Sequence, residues 1–237
     1  MHRCVPSWAE DCCSKEFVML SFVPLDARHK IWCLANRILL ALAICQLIPF
    51  TSAAAEREPY DDRYCTTCHG TYGRGNEGIE APRLAGMEDW YLRRQLENFR
   101  AGIRGYHPMD TAGIAMRPMA KLTDDSIADI VAWAGSWDYQ PAEITIEGDV
   151  QSGELLYGVC ATCHGMDAKG NAAMGVPALA GQNDWYLVTQ LSNFVAGYRG
   201  RHEDDRYGQQ MAAMVGTLTD ESAIRDVVVY INSLETR

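Results

Sequence analysis

The pentapeptide Cys65-Thr66-Thr67-Cys68-His69 recurs 95 residues later as Cys160-Ala161-Thr162-Cys163-His164. C-x-x-C-H is the attachment pattern for haem c. Two thiols one helical turn apart can both add to the vinyl edge of one macrocycle, and the histidine that follows then sits beneath the iron. A redox dithiol has no use for the trailing histidine, and a zinc site needs four ligands from neighbouring pairs. The motifs therefore imply two haem c groups. Cys65 and Cys68 would tether one and Cys160 and Cys163 the other, with His69 and His164 as iron ligands.

The repeat extends well beyond the motif. Over residues 65–119 against 160–214, 28 of 55 positions are identical at the constant offset of 95. Each half runs C-x-x-C-H-G, Gly-Asn, Pro-x-Leu-Ala-Gly, Asp-Trp-Tyr-Leu-x-x-Gln-Leu-x-Asn-Phe, Arg-Gly-x-His and Met-x-x-Met, in that order. The register slips by one only afterwards, where Leu122 matches Leu218. A duplicated unit of this kind reads as two equivalent domains. Their expected bounds are 56–137 and 151–237, joined by a linker over 138–150. Within the linker, Glu143 to Glu147 alternates and predicts a short extended piece.

Nine cysteines are explained by position. Four belong to the motifs, and the other five, Cys4, Cys12, Cys13, Cys33 and Cys45, precede residue 50. Arg28, Lys30 and Arg37 flank an apolar run from Ile38 to Phe50, and Thr51-Ser52-Ala53-Ala54-Ala55 follows. This is the pattern of an export signal cleaved after Ala55, so 1–55 reads as a signal peptide and the mature protein as periplasmic. The run is short for a membrane span, although a retained anchor is the other reading. The long stretch before it points to Met19 as the true start. From Glu56 onward there are 16 basic and 27 acidic residues, a net of 16 − 27 = −11. Such a surface suits neither nucleic acid nor an anionic membrane. Contact with a membrane would be transient or through a partner.

Apolar residues at helical spacing predict helices over Trp90, Leu92, Leu96 and Phe99 and over their equivalents Trp185, Leu187, Leu191 and Phe194. Asp89 and Asp184 are the expected N-caps. A last helix in each half opens at Thr123 and Thr219. No sustained strand pattern appears, and the fold class is all-α. Domains of this size have modest cores of their own, so a bound haem should supply much of the apolar interior.

A methionine opposite the histidine would close the iron to other ligands and raise its potential. Met116 recurs as Met211 and Met119 as Met214, in what reads as a loop before the last helix. Either pair could ligate. His107 and His202 also recur, which leaves bis-histidine ligation as an alternative. Their position in a loop suggests a surface or propionate-contacting role instead.

Together these motifs resemble the class I cytochromes c, in particular the dihaem cytochrome c4 type, over nearly all of 56–237. The resemblance implies two tandem class I cytochrome c domains, each a small helical fold around one covalent haem. It selects the first methionine of each pair, Met116 and Met211, as iron ligands. It also assigns the carbonyls of Pro82 and Pro177 to orient His69 and His164. The implied function is single-electron transfer in the periplasm. Electrons would pass from a quinol-oxidising complex or a dehydrogenase to a terminal oxidase or reductase, with redox proteins as partners. Two other functions compete: the haem subunit of a larger dehydrogenase, and a dihaem peroxidase. The recurring methionines argue against an open peroxidase iron.

Overall fold

The apolar stripes become helices in both halves. The computed structural model describes residues 63–234, and the leader expected over 1–55 lies outside them. The first half holds α1 (Arg63–His69), α2 (Asp89–Ala101), α3 (Thr111–Met119) and α4 (Asp124–Gly135). The second holds α5 (Val150–His164), α6 (Asp184–Val195), α7 (Arg206–Met214) and α8 (Glu221–Leu234). Among the described residues there is no strand, only the isolated bridges Asn76–Ala81 and Asn171–Val176 that close the loop after each C-x-x-C-H. Nor is any described helix long and apolar enough to cross a membrane. Both halves fall in one unit, Pro59–Arg237.

Thr123 caps α4 by accepting from Ser126 N–H, and the stripe Ile127, Ile130, Val131 and Ala134 is buried against Leu92 and Leu96 of α2. In the second half, Ile224, Val227, Val228 and Ile231 of α8 cover Leu187 and Phe194 of α6 and Tyr157 of α5. Covering an apolar stripe is what stabilises short helices in water.

Two expectations are corrected. The N-caps of α2 and α6 are Glu88 and Asn183, and Asp89 and Asp184 are the first helical residues. Asp184 is fully buried and holds the linker: it accepts from the N–H and hydroxyl of Thr145 and from Ile146 N–H. The linker segment from Glu143 to Glu147 thus meets that carboxylate through Thr145 and Ile146. The Met-x-x-Met segments are helical. Asp110 and Asp205, both buried, cap α3 and α7 by accepting from Gly113 and Gly208 N–H. These caps offset the poor helix propensity of glycine and of Pro118.

The α5–α8 crossing depends on Gly153. A Cβ there would lie 2.0 Å from Asp226 O. One turn on, Tyr157 is buried beside Tyr230 and donates to Gly165 O at 2.7 Å. Gly158, on the same helix, has open space around it. Gly153→Ala should therefore cost about 1–3 kcal/mol by forcing the helices apart. Gly158→Ala should stabilise by about 0.5–1 kcal/mol. Thermal unfolding of the two holoprotein variants should give opposite signs.

Candidate functional site

Each half contains a cavity bounded by its C-x-x-C-H turn. The first, about 320 Å³, is lined by Cys65, Cys68, His69, Pro82, Met116 and Met119 among others. The second, about 200 Å³, is lined by Cys160, Cys163, His164, Pro177, Met211 and Met214 among others. Protein interiors rarely leave voids larger than a water, so openings of this size beside two thiols are sites for a ligand.

The histidines are fixed by the loop that follows them. His69 Nδ1–H donates to Pro82 O at 2.7 Å, and His164 Nδ1–H donates to Pro177 O at 2.9 Å. A carbonyl can only accept, so the tautomer is set and Nε2 is left with its lone pair. Both rings are buried, at 7% and 6% exposure. Burial lowers each pKa from the ordinary histidine value, against the opposing effect of the proline carbonyl. A neutral imidazole with one committed nitrogen is a metal ligand in waiting.

The structure separates the two methionines of each pair. Met116 packs on the first-half core and Met211 on the second. Met119 and Met214 are 39% and 41% exposed, and Met119 Sδ accepts from Tyr64 OH at 3.2 Å. His107 and His202 line neither cavity. They are half-buried where the halves meet: His107 stacks on Tyr198 at 4.6 Å, and Tyr106 meets His202 edge-on at 5.5 Å. The expected exposed-loop position is thus corrected to an inter-domain one.

Sequence reading missed a buried polar cluster between the cavities. Arg104 donates to Gln95 Oε1 at 2.9 Å and to Gln190 Oε1 at 3.2 Å. Its equivalent Arg199 donates to Gln190 Oε1 at 2.7 Å and to Gln95 Oε1 at 3.3 Å. All four side chains are buried. Among the described residues neither guanidinium has a carboxylate partner, and the Nε of each is buried without a hydrogen bond. Arg104 lines the first cavity and Arg199 the second. Buried cations of this kind fit an anionic group entering each cavity, as the propionate edge of a haem would. The recurring Arg-Gly-x-His and Gln-Leu were the available clue.

The cytochrome c family model matches residues 57–136 and 150–235. The thiosulfate dehydrogenase electron acceptor of Stutzerimonas stutzeri (strain A1501) is 33% identical over 164 residues, covering 63% of this chain and 71% of the relative. Cytochrome c4 of Stutzerimonas stutzeri is 28% identical over 195 residues, covering 75% and 91%. The solved cytochrome c4 of Acidithiobacillus ferrooxidans superposes with a TM-score of 0.58 at 26% identity, over 72% of this chain and 98% of that one. The chain therefore belongs to the cytochrome c family as two class I domains in tandem, similar to the cytochromes c4, and it is an electron carrier rather than an enzyme.

Proposed function

We propose that each half carries one haem c, the first held by Cys65, Cys68, His69 and Met116 and the second by Cys160, Cys163, His164 and Met211. The observation that carries this reading is the agreement of the halves. In both, a neutral histidine anchored through Nδ1 and a methionine packed on the core line the same cavity as the two thiols. The haem supplies reversible one-electron exchange between ferrous and ferric iron. His69, Met116, His164 and Met211 would hold the two irons, the apolar walls would exclude water, and Arg104 and Arg199 would face the acidic edge. Retaining the same ligands in both oxidation states minimises the rearrangement that accompanies each electron.

The working location is the periplasm, reached through the leader at 1–55, with domains over 56–137 and 151–237 joined through 138–150. The partners are a dehydrogenase or quinol-oxidising donor and a terminal oxidase or reductase. The relative named as an electron acceptor of thiosulfate dehydrogenase supports the dehydrogenase side. The same relative favours the second reading, in which the chain is the haem subunit of a larger dehydrogenase. Co-purification with a catalytic chain would favour that reading.

Mass spectrometry of the exported chain should show two added haem masses. Met116→Ala should remove one of two contributions to the ferric sulfur–iron band at the red edge of the spectrum, and the reduced variant should bind carbon monoxide at one centre. An unchanged band would overturn Met116 as the ligand. The quadruple variant Cys65→Ala, Cys68→Ala, Cys160→Ala, Cys163→Ala should lose most helical circular dichroism, because neither cavity then has a filling. Retention of native helicity would refute that dependence.

A further inference from the structure

The peptide group between Pro82 and Arg83 is used on both edges. Its carbonyl accepts from His69 Nδ1–H at 2.7 Å, and its N–H donates to Asn183 Oδ1 of the other half at 2.8 Å. In a trans peptide these groups point in opposite directions, so one plane links the histidine to the facing domain. The equivalent peptide between Pro177 and Ala178 accepts from His164 Nδ1–H at 2.9 Å and donates to both carboxylate oxygens of Glu88 at 3.2 Å. Glu88 and Asn183 are themselves equivalent at the offset of 95. Both occupy N-cap positions, yet neither side chain bonds its own helix. Asparagine is among the best caps, so its absence from that role marks a competing bond. Gly75 makes room for it: a Cβ there would lie 2.4 Å from Asn183 Oδ1 and 2.9 Å from Arg83 N.

We propose that Glu88 and Asn183 are cross-domain positioning residues that set the two reduction potentials apart, each acting through one peptide group on the proximal histidine of the other half. The proposal rests on His69 and His164 being iron ligands, as argued above. Hydrogen bonds in series polarise one another. An acceptor on the peptide N–H makes the carbonyl oxygen more negative and draws the imidazole Nδ1–H harder. The ring then donates more strongly to its metal, which favours the ferric state and lowers the potential. A carboxylate is the stronger acceptor, since charge-assisted bonds are about twice as strong as neutral ones. The chain through Glu88 therefore lowers the second-half potential more than the chain through Asn183 lowers the first. Burial raises the Glu88 carboxyl from its ordinary value, while Ala178 N–H, its own N–H and the Arg94 charge act against that rise. Both links exist only while the halves are docked.

Glu88→Gln keeps an oxygen acceptor and removes the charge. Asn183→Asp adds charge at the equivalent place, giving up the 3.4 Å bond from Asn183 Nδ2 to Arg74 O. Spectroscopic redox titration of each holoprotein reads the effect. Glu88→Gln should raise one midpoint potential by the equivalent of about threefold in its reduction equilibrium, about 28 mV at 59 mV per decade, and leave the other in place. Asn183→Asp should lower the other. In the ferrous protein the His164 Nδ1–H magnetic resonance should shift in the first variant and that of His69 in the second. Potentials that stay put, or move together with both proton resonances unchanged, would overturn the proposal. The variants read different centres, so a folding failure in one leaves the other decisive. A parent protein lacking two haems or the sulfur–iron band would instead overturn the ligand assignment beneath it.

Discussion

An imidazole can hold a metal in a fixed plane only if its second nitrogen is anchored. Here the anchor is a proline carbonyl 13 residues downstream, at 2.7 Å in one half and 2.9 Å in the other. Much of each domain's loop geometry follows from delivering that carbonyl. Gly70 and Gly165, at φ 76° and 80°, reverse the chain straight after the histidine. Gly75 and Gly170 N–H then close on the His69 and His164 carbonyls at 2.7 and 2.8 Å. The bridges Asn76–Ala81 and Asn171–Val176 pin the loop that brings the proline carbonyl to the ring nitrogen. The repeated Gly-Asn and Pro-x-Leu-Ala-Gly segments are thus parts of one histidine-orienting device.

Packing two copies of that device face to face makes an interface in which equivalent residues meet, as in an isologous dimer. Arg104 and Arg199 each bridge the glutamines of both halves, so four buried side chains lock the halves through hydrogen bonds. Burying two guanidiniums without carboxylates is costly. The arrangement is intelligible if an acidic edge arrives in each cavity, and the domain seam and cofactor site then share one electrostatic balance.

The C-x-x-C-H turns, the period of 95 and the stripes Ile127–Ala134 and Val227–Ile231 were legible because each is a local pattern with a fixed physical meaning. The helicity of Met116–Met119 was not, because glycine and Pro118 read as loop, and the buried caps Asp110 and Asp205 that override them are recognised only in three dimensions. The burial of Arg104, Arg199, Gln95 and Gln190 was not legible, since charged and amide side chains are seldom buried unless paired. The caps were misplaced by one residue because Asp89 and Asp184 looked like better caps than Glu88, whose carboxylate serves the other domain.

The broken symmetry of the seam matters as much as the symmetry. Two identical domains would give two equal potentials and no preferred direction for an electron between them. The residues that differ across the repeat at the interface include Glu88 against Asn183, and Tyr106 and Tyr198 against Arg201 and Ile103. The aromatic pair packs against His202 and His107. The Glu88 and Asn183 pair accepts from the peptide behind each histidine. A carboxylate against an amide at that point changes the charge placed behind each histidine. A duplicated carrier can thus acquire a direction while its fold and ligand geometry stay intact.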